Sequence, residues 1–231
     1  MHVVRGSLAD TERDRAATRG LAGLVERTDR PAVRTWTPPR QVAFGRRDAS
    51  ADGYDRARRA ALERGYDPVE RRVGGRAVAY TGETVAFVHA VPTDDSRSGI
   101  QRRYEHATDT LRDALEGVGA TVRSGEPAGS FCAGDHSLQG DGKVAGIAQR
   151  VQRAVAVVGG CVVVTEDDED AIADVLGPVY AALGVPFETE SVGSVETAGG
   201  PDDPGAVVGA IERAFASDRE TNPVEAAVLL S

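Results

Sequence analysis

GKVAGIAQRVQRAVAVVGGCVVV, residues 142–164, sets the centre of the expected fold. Residues 143–150 and 154–164 read as two paired, buried strands, the second rich in valine. On the N-terminal side, 125–142 is dense in Gly, Asp and Ser and reads as loop. Before it, 100–115 is the clearest helix, with Tyr104, Ala107, Thr108, Leu111 and Leu115 on one face at three- and four-residue steps. Gly117 and Gly119 end that helix, and a strand starts over 120–123. Further outward come strands at 69–73, 77–80 and 84–91 and a helix at 54–65 whose inner face is Ala57, Ala60, Ala61 and Leu62. PAVRTWTPPRQVAFG (31–45) reads as two short strands broken by Pro38-Pro39, and 8–28 as a surface helix. On the C-terminal side, helices are expected at 167–183 and 204–216, with one more short helix from 218 onward. The acidic run Glu166-Asp167-Asp168-Glu169-Asp170 suits the positive end of the first of these. Strands and helices mix without strict alternation, so the expected fold class is α/β (α+β) with a mixed sheet.

The 231 residues suffice for one large domain, and 41% hydrophobic content excludes a disordered chain. The longest nearly uncharged apolar run, 154–164, is too short to cross a bilayer, and the N-terminus MHVVRGSLAD has no signal-type apolar segment. The reading is therefore of a soluble, cytoplasmic protein. Net charge is −9, and Lys143 is the one lysine among 27 basic residues. Such a balance fits either a halophilic composition or a GC-rich genome that favours Arg codons. It disfavours nucleic acid as a partner, because tracking phosphates needs a net basic face. A lysine kept where arginine serves everywhere else suggests a role for a compact ammonium. Two cysteines make no disulfide framework, the four histidines have no metal-site spacing, and no P-loop occurs because Val144 follows Lys143.

Two segments can carry chemistry. In ERRVGGRAVAY (70–80), Gly74 and Gly75 let the backbone pass close to a ligand, and Arg72 and its neighbours can meet a carboxylate or phosphate. A plain hairpin turn explains this segment equally well. In GSFCAGDHSL (129–138) followed by GDGKVAGIAQR (140–150), Cys132 sits in a glycine-rich loop that suits an accessible thiol, and Lys143 is the candidate cation to activate it. The competing reading of Cys132 is a small, half-buried filler. Gly142, Ala145, Gly146 and Ala148 leave room for a chain-like ligand. His136 is either a base for Cys132 or a solvated loop residue. His89, in an apolar strand, reads as a core or pocket-wall histidine, and Cys161 as buried and inert.

Taken together, RRVGGRAV and, about seventy residues later, GKVAGIAQR resemble the biotin/lipoate protein ligase superfamily, over roughly 32–185. The resemblance implies one domain over 1–231, with a central mixed sheet flanked by helices, a core at 32–185 and a C-terminal helical extension at 186–231. Within the superfamily, GGRAV (74–78) and SFCAG (130–134) look like the lipoyl/octanoyl protein transferase branch, which moves octanoyl from the glycine cleavage H protein to other lipoyl domains. RTWTPPRQVAFGRRD (34–48) is similar to that branch's early Arg-x-Trp strand. ATP-dependent lipoate ligases show a third Gly where Arg76 stands and His-Gly where this chain has Val158-Gly159-Gly160. The resemblance implies acyl transfer through a Cys132 thioester assisted by Lys143. Gly74, Gly75, Ala77, Gly146 and Ala148 would shape a narrow apolar tunnel, with Arg72 as a further substrate-binding residue. The acyl group, octanoyl or lipoyl, would go to a lysine of a lipoyl carrier: the H protein or a 2-oxoacid dehydrogenase lipoyl domain. No cofactor is then required. The alternatives are an ATP- and Mg-dependent ligase working through an acyl-adenylate, and a non-catalytic lipoate- or biotin-binding relative. No membrane partner is implied, and a monomer is the default.

Overall fold

The computed structural model describes residues 1–71, 75–93, 99–152, 154–217 and 219–230. In chain order the elements are β1 (His2–Arg5), α1 (Thr11–Thr28), β2 (Ala32–Trp36), β3 (Gln41–Phe44), α2 (Arg46–Ala49), α3 (Tyr54–Glu63), β4 (Asp67–Glu70) and β5 (Val78–Tyr80). They continue with β6 (Val85–Pro92), α4 (Ile100–Glu116), β7 (Arg123–Ser124), β8 (Ser137–Gln139), β9 (Lys143–Gln152), β10 (Val155–Val162), α5 (Glu166–Leu183), α6 (Pro204–Ala216) and β11 (Asn222–Glu225). The decisive stretch forms the antiparallel β9–β10 pair at the heart of an eight-stranded mixed sheet, ordered β11-β1-β2-β6-β10-β9-β8-β7. β1 runs parallel to both of its neighbours, and the other pairs are antiparallel. β4-β3-β5 form a separate three-stranded sheet.

Alternation along the strands assigns each face of the large sheet to a different layer. Val33, Phe87, Val158 and Val162 face α4 and α6, where Leu111, Leu115, Ile211 and Phe215 complete an apolar core. The opposite face carries small residues, and register aligns them in rows. One row is Gly146, Cys161, Ala86 and Trp36, and the next is Ala148, Gly159, Val88 and Arg34. α1 covers one end of this face through Ala17, Leu21 and Val25. The small sheet with α3 and α5 covers the other end through Val42, Phe44, Val78, Ile172 and Tyr180.

Local chemistry fixes the helix ends. Asp10 caps α1 by accepting from the Arg13 amide, and Thr165 with Asp168 forms a reciprocal capping box at the acidic start of α5. A buried ion pair pins α1 to the sheet. Arg34 and Asp14 are both essentially inaccessible, 2.5 Å apart, and Trp36 Nε1 donates to the other Asp14 oxygen at 2.9 Å.

The structure departs from the sequence reading in four places. The region after 186, expected to be helical, contains α6 and a short helical turn at Ala226–Leu230, but also β11, which pairs in parallel with β1 and extends the sheet. The N-terminal stretch supplies β1, too short for any periodicity to reveal. The loop expected over 125–142 contains β8, three residues that pair with the start of β9. Leu62, expected on the inner face of α3, is 56% exposed, because Ala57 and Ala61 are the residues turned inward.

Candidate functional site

Between the small-residue face, α1 and the small sheet lies a cavity of about 910 Å³. Its wall includes Cys132, Lys143, Arg71, Tyr80, Gly146 and Ala148. The two residues singled out as a pair by composition therefore share one cleft. Gly159 shows why the floor is bare: a Cβ there would stand 2.9 Å from the Phe87 carbonyl oxygen and 3.1 Å from Val88 Cγ2. Strand spacing makes the lane from β9 to β2 about 14 Å wide, and Trp36 on Asp14 closes its far end.

Cys132 is half-buried and unbridged. Its backbone has φ of 46°, the left-handed region that side-chain-bearing residues rarely adopt. Two side chains, Tyr180 and Lys143, fix it there. Its amide donates to Tyr180 Oη at 2.6 Å, and Tyr180 in turn donates to the Ala77 carbonyl at 3.0 Å. Lys143 Nζ donates to the carbonyls of Phe131 (2.9 Å) and Cys132 (3.1 Å). Lys143 is 1% exposed, and its charge is balanced by Glu126 at 2.8 and 3.1 Å, which Ser130 Oγ also contacts.

The expectation that Lys143 is the cation beside the sulfur is corrected by this geometry. The groups bonded to Cys132 Sγ are Arg71 Nη2 at 3.1 Å and the Arg76 amide at 3.3 Å. The ammonium is drawn instead to the carbonyls and carboxylate below. Burial works against the charge on Arg71, but the Cys132 sulfur and the Tyr80 phenol outweigh it and hold its pKa above the ordinary value. The same burial raises Tyr80 and Tyr180, and pushes Cys161, which lies on the cavity floor, up to about 12.

Gly75 has φ of 95° and lies against the sulfur, where a Cβ would meet Cys132 Sγ at 2.6 Å and Arg71 Nη2 at 2.8 Å. Arg76 turns outward to the fully buried Asp48, 3.1 Å away. Gly146 and Ala148 line the cavity, whereas Ala77 is buried behind it and contributes its carbonyl to Tyr180. Arg72 and Gly74 lie outside the described residues. His136 borders the cavity with its ring stacked on Tyr104 at 3.8 Å, and among the described residues no hydrogen bond joins it to Cys132. His89 points to the other side of the sheet, 5.0 Å from the Phe215 ring, so it is a core residue and not part of the cavity wall. Arg71, Glu126, Tyr180 and Asp14 are members of the site that sequence reading did not single out.

Comparisons with known proteins agree with this architecture. Residues 16–196 match the model of the lipoyl protein ligase A/B catalytic domain. The octanoyl-[GcvH]:protein N-octanoyltransferase of Geobacillus kaustophilus is 32% identical over 155 residues, 66% of this chain and 55% of its own. The protein of the same name from Exiguobacterium sp. is 33% identical over 127 residues, 54% of this chain and 45% of its own. The chain thus spans about half the length of these curated relatives. Among solved structures, lipoate-protein ligase A bound with ATP superposes with a TM-score of 0.77 at 19% identity, covering 99% of this chain and 91% of that one. The bi-partite lipoate protein ligase of Thermoplasma acidophilum superposes with a TM-score of 0.69 at 18% identity, covering 99% and 89%. These two structures share the fold. With the family model matching most of its length, the chain belongs to the lipoyl protein ligase A/B catalytic-domain family.

Proposed function

We propose that this protein is an acyltransferase that moves an octanoyl group onto a lysine of a lipoyl carrier protein through a thioester on Cys132. The carrying observation is the sulfur itself. It is free, it borders the cavity, and it accepts from a guanidinium and a backbone amide. That donor set suits a thiolate nucleophile.

The step that follows is an amide-to-amide exchange. The Cys132 thiolate attacks the carbonyl carbon of an octanoyl-lysine on a donor carrier. The C–N bond breaks, and the donor amine leaves with one added proton. An acceptor lysine amine then attacks the thioester, the C–S bond breaks, the sulfur returns as thiolate, and the new amide nitrogen loses one proton. The relatives named for octanoyl transfer from GcvH support this donor. A lane about 14 Å wide across the strands holds an eight-carbon chain. Burying about seven alkyl carbons at about 0.8 kcal/mol each contributes roughly 5 kcal/mol before ordering costs. Such a cycle needs no cofactor.

Intact-mass spectrometry tests this. The protein is incubated with an octanoylated H protein, with and without ATP. A hydroxylamine-labile octanoyl adduct on Cys132 without ATP is expected, and Cys132→Ser abolishes both adduct and transfer. Strict ATP dependence with Cys132→Ser still active would instead establish a ligase. Reversible ligand binding without any adduct would establish a binder.

A further inference from the structure

We propose that two cations of the site divide their work: Arg71 is a catalytic residue that holds the reactive sulfur, and Lys143 is a positioning residue that holds the backbone beneath it. The inference rests on Cys132 being the nucleophile.

Among the described residues the sulfur has two donors, Arg71 Nη2 and the Arg76 amide. Arg71 is itself fixed, because the same nitrogen donates to the Arg76 carbonyl at 2.6 Å. The loop 75–76 thus presents one donor and orients the other. The absent Cβ of Gly75 is what lets sulfur and guanidinium meet. A planar guanidinium serves here because it can engage a carbonyl and a sulfur together.

Lys143 is committed elsewhere. An ammonium has three protons, and Nζ already has four oxygen acceptors within 3.1 Å: two on Glu126 and the carbonyls of Phe131 and Cys132. Both carbonyls flank the residue in the left-handed conformation. The ammonium therefore holds the backbone of the turn in place against the cavity, while the sulfur keeps its own contacts with Arg71 and the Arg76 amide. Glu126 balances this charge, and Ser130 holds Glu126.

Among the described residues, the titratable groups nearest the sulfur are engaged or neutral. Tyr80, Tyr180 and Cys161 are buried, and burial favours their neutral forms. Asp48 is bound to Arg76, and His136 is stacked on Tyr104. Arg71 is thus the cation that stabilises a negative sulfur.

The test is iodoacetamide alkylation of Cys132, followed by peptide mass spectrometry across pH in the full chain. It needs no acyl donor. Arg71→Met should be alkylated about tenfold more slowly than the parent near neutral pH, with the two rates converging under strongly alkaline conditions. Arg71→Lys should recover most of the difference. Lys143→Met should keep the parent's ratio of neutral to alkaline rates while losing acyl transfer. Arg71→Lys also serves if Arg71→Met does not fold, since a lysine without the second donor contact should retain a measurable part of the deficit. Parental alkylation in both Arg71 variants would overturn the proposal, as would a Lys143→Met profile shifted as far as that of Arg71→Met. If the parent shows the Arg71 effect but never carries an acyl group, the proposed function fails and the sulfur–guanidinium assignment stands.

Discussion

At the residue scale, the site depends on a backbone that lets one sulfur and one guanidinium approach each other. Gly75 is the tightest point of that approach, with a positive φ and no room for a methyl group. Gly75→Ala should therefore reduce acyl transfer at least about a hundredfold and cost about 1–2 kcal/mol of stability, since alanine at positive φ is strained. Single-turnover acylation and urea unfolding on the same preparation measure the two effects separately. Cys132 and Lys143 were legible beforehand because composition isolates them: two cysteines and one lysine in 231 residues. Arg71 was legible only as one of the arginines flanking Gly74-Gly75 that could meet a ligand, because nothing in the sequence pairs it with Cys132. Glu126, Tyr180 and Asp14 were hidden for the same reason, since their roles are set by partners distant in the chain.

At the element scale, β9, β10 and β6 form the floor, and their register turns small residues into a lane. Ala148 lies opposite Gly159 on that floor. Ala148→Leu should fill part of the lane and move preference toward shorter acyl chains. Losing contact for about two methylenes should raise the hexanoyl-to-octanoyl ratio of kcat/KM about tenfold, as competition assays with mixed acyl carriers would read. The paired strands and the helices α3, α4, α5 and α6 were readable from periodicity. β1, β8 and β11 were not, because strands of three or four residues carry too little alternation and exist only through their partners. β11 also contains Pro223, tolerable because it lies on the outermost strand of the sheet.

At the scale of the whole molecule, the two faces of one sheet do different work. One makes the cavity, and the other makes the stable core, in which His89 is buried between α4 and α6. Desolvation, with repulsion from His106 and Arg219, lowers the His89 pKa from 6.5 to about 4, and among the described residues Nε2 has no hydrogen-bond partner. The unfolded chain then binds the proton more readily than the folded one. This contribution to stability is complete above 6.5 and is lost as pH falls from 6.5 toward 4. Lowering the pH from about 7 to about 5 should cost about 2 kcal/mol through this group alone. Urea midpoints at the two pH values check it, and His89→Leu should remove that part of the slope.

α6 lies beyond the residues matched by the family model, yet Ile211 and Phe215 complete this core. The segment expected as an extension is thus integral to the domain.

By itself the sequence determined the mixed α/β class, the strand pair at its centre, and the cysteine and lysine to be brought together. Those follow from periodicity and from residue scarcity, which are local or compositional properties. Only the tertiary structure decided which cation meets the sulfur, which glycine makes room for it, and which face of the sheet is open. These are matters of approach between segments some sixty residues apart, and no local rule encodes them.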